Sequence, residues 1–525
     1  MIAAWRLLAL LLAIATPMQL AVTVLGADLR RTVGGRLVQL GGAALLWCVV
    51  AAALFTVTTL GAAGAAMRTV TDVPLALMAM AGLGLLAYVQ RARWRWWRQR
   101  TAPDIAASGG VSAPGSLSFA RGIAALGDRH YYLRGFAEHG PVFRMSQFGA
   151  PTMCVLGLER RQAIMRQHGE ALGPAPLPFS RSVLRGFLRY MDDATHDHYG
   201  PLMRRAMHGG TSASLHERLQ HDIRERLLRA SNGSAPPATA TAFIEPLVRE
   251  ALDLLLFGFG ADGDAGDSRQ AATAFARQGT AFYHVQSSRR LNATEESMLR
   301  QLDDLLAQQE QRLHADGVAD TVPLGRIRTL SGSAPDDTVR QNFVFLHRIA
   351  TNNVSGLMAW LLVFWSRHPD IVARIRASSG DERQRLLERF LAETLRLSQS
   401  EYTYRTVART FVHDGMVYPA GWLVRFCVWE SHRDATVFDA PTEFRLRLGD
   451  QDYAKSRFAP FGTGRHACNG ADLNETLCVA LLSVLVDDFD VHAEPVEPLQ
   501  RAPRHWGHWQ PNARLSLRIT RRAHP

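Results

Sequence analysis

Hydrophobic positions run through this chain in two regimes. Over the first hundred residues they are continuous rather than periodic. Leu7–Gly26 and Leu40–Gly61 carry no charge, and Val73–Val89 is shorter but equally uncharged. An uncharged run of about twenty residues is long enough to cross a bilayer as a helix, so three transmembrane helices are predicted, at 7–26, 40–61 and 73–89. Arg30, Arg31 and Arg36 lie in the first connection, Arg68 and Asp72 in the second. The third run is followed by Arg91–Arg100, where Trp94, Trp96 and Trp97 stand among arginines. Indole rings and cations concentrate at the water–lipid boundary, and cytoplasmic loops hold the excess of Lys and Arg. Residues 1–100 are therefore expected to be a multi-pass region of the cell inner membrane in contact with membrane lipid, with the N-terminus outside and the rest of the chain cytoplasmic. Two other readings stay open: 7–26 as the apolar part of a cleaved signal peptide behind Arg6, and 73–89 as a re-entrant or interfacial helix.

Beyond residue 100 the pattern becomes periodic. Thr101–Ser116 is rich in Pro, Gly, Ala and Ser and reads as a flexible linker. The remainder, 117–525, is read as one domain. Apolar residues recur at intervals of three and four in Ala251–Phe259, Glu295–Ala315 and Thr338–Arg367, which predicts helices. Shorter β-like runs fall at Pro141–Leu156, Gly415–Cys427 and Arg514–Thr520, and breaker-rich loops at Ala230–Thr241 and Leu330–Thr338. No internal repeat is present. The predicted class is mainly α, a helix-rich α+β domain.

Charge changes this picture little. The balance is +11, from 59 Lys+Arg against 48 Asp+Glu, which suits an anionic membrane surface or an acidic protein partner. No zinc-finger spacing, recognition-helix signature or RNA-binding aromatic motif accompanies it, so no nucleic-acid partner is expected. The cysteines, Cys48, Cys154, Cys427, Cys468 and Cys478, are odd in number and never paired as CxxC. That argues against a disulfide framework or a structural zinc site.

The chemistry concentrates in Phe461-Gly-Thr-Gly-Arg-His-Ala-Cys-Asn-Gly470. Gly462 and Gly464 permit a tight loop with positive φ and close approach of a flat ligand. Cys468 follows, then Gly470, then a helical run over Ala471–Asp487. A cysteine at a helix entrance sits in positive potential that favours the thiolate. The stretch resembles the cysteine-ligand loop of the cytochrome P-450 family, FxxGxRxCxG, with Phe461, Gly464, Cys468 and Gly470 in place and His466 where the family often has arginine. Other motifs follow the family's order. Glu393-Thr-Leu-Arg396 resembles the ExxR helix, Gly415–Gly421 the GxxIPxG strand pair, and Ser431–Asp434 the HRD stretch. Pro441–Phe444 resembles the PxxF segment, with Arg447 the third member of a Glu–Arg–Arg cluster. The resemblance covers roughly Ser116 to the end.

It implies a haem b cofactor with Cys468 as axial iron ligand, and His466 and Arg405 at the propionates. Arg204, with Arg205, is either a further propionate partner or a surface charge. His505, Trp506, His508 and Trp509 fall where the family's C-terminal hairpin often touches substrate, or are plain core and surface residues. The family pattern fails on the long helix before His368-Pro369. Where most members carry an acid and then an alcohol for proton delivery, Asn352 and Asn353 stand, and a shift of one residue offers Thr351 instead. An amide hydrogen-bonds water but is no acid.

The resemblance implies a monooxygenase inserting one oxygen atom from dioxygen into a lipophilic small-molecule substrate. With no dinucleotide fingerprint or cysteine cluster in the chain, electrons are expected from a separate electron-transfer partner, a ferredoxin or flavodoxin-like protein. Two alternatives stay open. One is a peroxide-using or non-oxygen-activating haem-thiolate enzyme (peroxygenase, isomerase or dehydratase); the other is a membrane-anchored haem sensor without catalysis.

Overall fold

The computed structural model describes residues 106–147, 150–174, 187–188, 191, 193–232, 239–260, 267–283, 293–399, 402–464, 467–501 and 508–522. The three predicted spans lie outside the described residues. Among the described residues no helix is long and apolar enough to cross a membrane.

The chain enters through β1 (Gly115–Ser116), α1 (Phe119–Gly127), α2 (Tyr131–His139), β2 (Val142–Gln147), β3 (Ala150–Val155), α3 (Leu158–His168) and β4 (Leu172–Pro174). A helical stretch follows: α4 (Asp193–Met207), α5 (Ala213–Ser231), α6 (Ala240–Phe257), α7 (Asp267–Tyr283), α8 (Ala293–Ala315), α9 (Pro323–Ser331), α10 (Asp337–Arg367), α11 (Pro369–Ala377) and α12 (Gly380–Ser398). Then come β5 (Tyr402–Val407), β6 (Phe411–His413), β7 (Met416–Tyr418), β8 (Leu423–Cys427) and the short α13 (Val428–Ser431). The chain closes with α14 (Ala471–Asp488), β9 (Phe489–Glu494), β10 (Gln500–Arg501), β11 (Trp509–Gln510) and β12 (Ser516–Arg521). Helices dominate, and the sheets are small, as the periodicity predicts.

Helix α10 shows why the long pattern resolves as one element. Asp336 caps it, its carboxylate accepting from the Val339 N–H at 2.8 Å, and Asp337 lies in the first turn beside the positive end of the helix dipole. It stops at His368 because Pro369 has no N–H to continue it and opens α11 instead. Phe343, Leu357, Leu361 and Trp365 are buried, and the helix packs on α6, α8, α12 and β9. Helix α14 is apolar nearly all round, with Leu477, Leu481 and Leu485 fully buried, and lies against α5, α11, α12 and β9. Thus α10 and α14 are both supported by α12 and β9.

The main sheet runs β1-β2-β3-β8-β5-β4, with β3 and β8 parallel (Thr152 opposite Leu423) and β8 and β5 antiparallel (Arg425 opposite Tyr404). Strands β6 and β7 form a hairpin closed by Asp414 and Gly415 at φ 48° and 73°, the two positive-φ residues of a tight primed turn.

Two expectations shift. The helix predicted at 251–259 is α6, which starts eleven residues earlier, capped by the Thr239 hydroxyl, and ends at Gly258 in the left-handed conformation. Pro246 interrupts the pattern, yet burial of Phe243, Ile244, Leu247 and Val248 outweighs the one helix hydrogen bond it removes. The end of the segment read as a linker is built into the sheet region. Val111 N–H donates to Gly415 O at 2.8 Å, and Gly115–Ser116 pair with Arg144–Met145. Small residues leave the backbone free to pair, which composition alone does not reveal.

Candidate active site

The loop before α14 is shaped by its backbone. Gly462 and Gly464 take φ of 73° and 76°, a region that disfavours side chains. Gly462 N–H donates to Ala459 O at 3.1 Å, Ala467 N–H to Gly464 O at 3.0 Å, and Cys468 N–H to Phe461 O at 2.8 Å. Those bonds fold Phe461–Cys468 back on itself and deliver Cys468 to the entrance of α14, where Asn474 Nδ2 donates to the Gly470 carbonyl at 2.8 Å. A Cβ added to Gly470 would lie 4.0 Å from Cys468 Sγ and 4.0 Å from Met207 Cε, whereas one at Gly464 would meet nothing within 4 Å. His466 lies outside the described residues.

The Cys468 side chain is accessible, not packed over. It is nonetheless deep among protein atoms: burial pushes the thiol up from its ordinary value, and the Gly470 N–H works the other way by hydrogen-bonding the sulfur. The other described cysteines, Cys154, Cys427 and Cys478, are buried. Among the described residues no group of three or more His, Cys, Asp or Glu is placed to hold a metal ion. A single thiolate is a poor site for a free cation, which takes several protein ligands. It suits an iron whose other ligands would be supplied mainly by a macrocycle. The donor set and the bare, glycine-lined approach to Cys468 therefore fit haem.

A second face lies on α10. Most of that helix is buried, but Leu346, Ile349 and Ala350 are only partly covered and Asn353 is exposed, positions that share one flank at helical spacing. Of the three candidates there, Asn353 is the open one. Asn352 is buried with its amide nitrogen unpartnered. Thr351 is fully buried, and its hydroxyl donates to the His347 carbonyl at 2.8 Å.

Behind the cysteine loop the structure brings Glu393, Arg396 and Arg447 together. Glu393 and Arg396 lie three residues apart on α12, both with no exposed surface. Arg396 Nε and Nη2 donate to the two carboxylate oxygens at 2.8 and 2.7 Å, a bidentate pair. Arg447 donates to the same carboxylate. Arg396 also donates to the carbonyls of His432, Pro441 and Glu443 at 2.7, 2.6 and 3.0 Å. One buried guanidinium thus ties α12 to the stretch leading into the cysteine loop.

The remaining candidates are dispersed. Arg405 lies on β5, half-buried, with Nη1 donating to the Tyr404 carbonyl at 2.8 Å. Arg204 is half-buried and Arg205 exposed in the last turn of α4. His505 and Trp506 lie outside the described residues. His508 and Trp509 are buried, and Trp360 Nε1 on α10 donates to the Trp509 carbonyl at 2.9 Å, pinning the C-terminal segment to that helix.

Three contributors are given no individual role by the sequence, although His432 falls within the Ser431–Asp434 stretch already singled out. Tyr453 donates to Glu393 at 3.1 Å, and no pattern marks it. His432 is fully buried and its Nε2 accepts from the Ala459 N–H at 3.2 Å, so the imidazole anchors the approach to the loop. Arg161 is buried on the flank of α3 that carries Leu158 and Ile164; an arginine on an apolar stripe was the available signal.

The profile of the family described as Cytochrome P450 matches residues 333–517. Abscisic acid 8'-hydroxylase 2 of Arabidopsis thaliana is 25% identical over 175 residues, 29% of this chain and 36% of that protein. Taxoid 2-alpha-hydroxylase of Taxus canadensis is 26% identical over 183 residues, 31% of this chain and 37% of that one. Putative cytochrome P450 139 of Mycobacterium tuberculosis is 31% identical over 170 residues, 29% and 40% respectively. The matches therefore span less than half the length of these relatives. In fold, the retinoic acid-bound cyanobacterial CYP120A1 superposes with a TM-score of 0.61 at 17% identity, covering 79% of this chain and all of that one. That family and fold imply a haem held by a cysteine thiolate, the group the Cys468 site fits. The profile match over residues 333–517, the superposition and the one accessible thiol among the described cysteines, at the head of α14, converge: this part of the chain is similar to the cytochrome P450 family, and its fold is that of a solved member.

Proposed function

We propose that the protein is a haem-thiolate monooxygenase that inserts one oxygen atom from dioxygen into a lipophilic substrate. Electrons would come from a separate ferredoxin or flavodoxin-like partner, and residues 1–100 would hold the cytoplasmic domain at the inner membrane. The observation that carries the reading is Cys468, one accessible thiol at a helix entrance with the Gly470 N–H on its sulfur. Relatives named as hydroxylases of abscisic acid and of a taxoid support oxygen insertion.

Bound haem supplies the one-electron and dioxygen chemistry. Cys468 is the residue to ligate its iron, and the Gly470 N–H tunes how much electron density the sulfur donates. The Glu393–Arg396–Arg447 cluster keeps the approach to the loop rigid. Leu346, Ile349 and Ala350 give an apolar flank that holds substrate and excludes water. Asn353 orients water through its amide but holds no acidic proton, so proton supply must come from solvent or substrate groups. This same amide pair favours a second reading, peroxide-driven or redox-neutral turnover.

The test is the reduced, carbon monoxide difference spectrum of detergent-solubilised full-length protein beside Cys468→Ala. A band at about 450 nm, the expectation for thiolate ligation, should vanish in the variant; its survival there, or no haem in the wild type, overturns the assignment. Turnover with peroxide but not with dioxygen and reductant would select the second reading.

A further inference from the structure

Arg161 occupies a place where helix periodicity calls for an apolar residue. It shares the buried flank of α3 with Leu158 and Ile164 and is only 5% exposed. Among the described residues its buried Nη1 has no hydrogen-bond partner, and burial pulls the guanidinium down from its ordinary value with no carboxylate opposing it. A buried, unpaired cation is costly in isolation, so its surroundings decide what it is for. The position a Cβ on Gly462 would take lies 3.5 Å from Arg161 Nη2 and 3.9 Å from the Cα of Ala467. The ring of Phe426 lies 5.8 Å from its guanidinium carbon. The charge also reaches His432, whose ring accepts from Ala459 at the start of the same loop. Arg161 is therefore set against the Gly462 side of the turn that carries Cys468.

We propose that Arg161 is a positioning residue whose buried charge favours one-electron reduction of the haem–thiolate unit. This rests on the haem-thiolate reading above. Ferric iron, the porphyrin dianion and one thiolate sum to zero charge. Adding one electron, from a ferredoxin or flavodoxin-like donor, takes ferric to ferrous and leaves that unit with one negative charge. A nearby cation in poorly polarisable surroundings stabilises the reduced form more than the oxidised. It also supplies the missing counterion for Arg161 itself.

The experiment is a spectroelectrochemical titration of detergent-solubilised full-length wild type, Arg161→Gln and Arg161→Lys, each with its carbon monoxide spectrum. Arg161→Gln should keep the band at about 450 nm. Its ratio of reduced to oxidised form at a fixed potential should fall about tenfold, a shift of roughly 59 mV for one electron. Arg161→Lys, which keeps the charge, should recover most of that. An unchanged midpoint in Arg161→Gln overturns the proposal, as does an equal shift in both variants, which would mark a packing role. Loss of haem from Arg161→Gln alone, with Arg161→Lys at the wild-type midpoint, supports a need for the charge; loss from both overturns it. A wild type with no such band fails the haem reading instead, and is told apart by that.

Discussion

Glu393→Ala should be among the most damaging single substitutions outside the cysteine loop. The carboxylate accepts from Arg396 at 2.8 and 2.7 Å, from Arg447, from the Tyr453 hydroxyl at 3.1 Å and from the Arg445 N–H at 3.1 Å. Arg396 has no exposed surface, and Arg447 only 9% of its side chain. Truncation leaves two guanidinium groups in the interior without their counterion. Arg396 keeps three carbonyls, so its donors are not all orphaned, but those dipoles do not neutralise it. Removing one partner of a buried pair costs about 3–5 kcal/mol, and the several hydrogen bonds do not add to this because they share one acceptor group. A loss of about 4 kcal/mol compares with a total of roughly 5–15 kcal/mol for a folded domain. Glu393→Gln keeps the volume and one acceptor oxygen but not the charge, and should cost about half as much. The assay is chemical unfolding of the full-length protein in detergent, followed together by far-ultraviolet circular dichroism and haem absorbance. The haem signal should fail first, because Arg396 holds the His432, Pro441 and Glu443 carbonyls ahead of the cysteine loop. A loss below about 1 kcal/mol for Glu393→Ala, or a neutral Glu393→Gln as stable as the wild type, would refute the argument that the buried charge balance matters.

Two further outcomes follow from the same geometry. Burial, then the nearby Arg396, Arg433 and Arg161, hold the His432 imidazole down at about 3, against about 6.5 in an unfolded chain. Between those values the unfolded state binds the extra proton, so the contribution of His432 is fully present above about pH 6.5. It is lost at about 1.4 kcal/mol per unit as pH falls towards 3. His432→Gln should flatten the acid limb of the stability–pH curve; an unchanged slope would remove His432 as its cause. At the other end of the site, Asp336→Ala should cost about 1 kcal/mol through loss of the α10 cap, while Asp336→Asn keeps most of it. Equal unfolding midpoints for the two variants would mean the cap contributes nothing.

Local order was legible in the amino-acid sequence wherever neighbours along the chain decide it. The periodic stretch 338–367 is α10 to within a residue, 295–315 is α8, and 471–487 is α14, because apolar spacing, an aspartate cap and a following proline act within a few turns. The cysteine loop belongs to the same class: its two positive-φ glycines and the helix after Cys468 are local chemistry, and so is the Glu393–Arg396 pair, three residues apart on one helix. What only the tertiary structure decided is who meets whom across hundreds of residues. The pairing of β3 with β8, the docking of Val111 on Gly415, and the convergence of Tyr453 on Glu393 leave no periodic trace, and Arg447 is expected beside Glu393 only through the family resemblance. No such trace marks the burial of His432 or the absence, among the described residues, of a counterion for Arg161. Helical phase is a property of a short segment, but burial and counter-charge belong to the surroundings that folding supplies. The chain therefore announced its candidate iron ligand, while the groups that hold and charge the space around that ligand came from the fold.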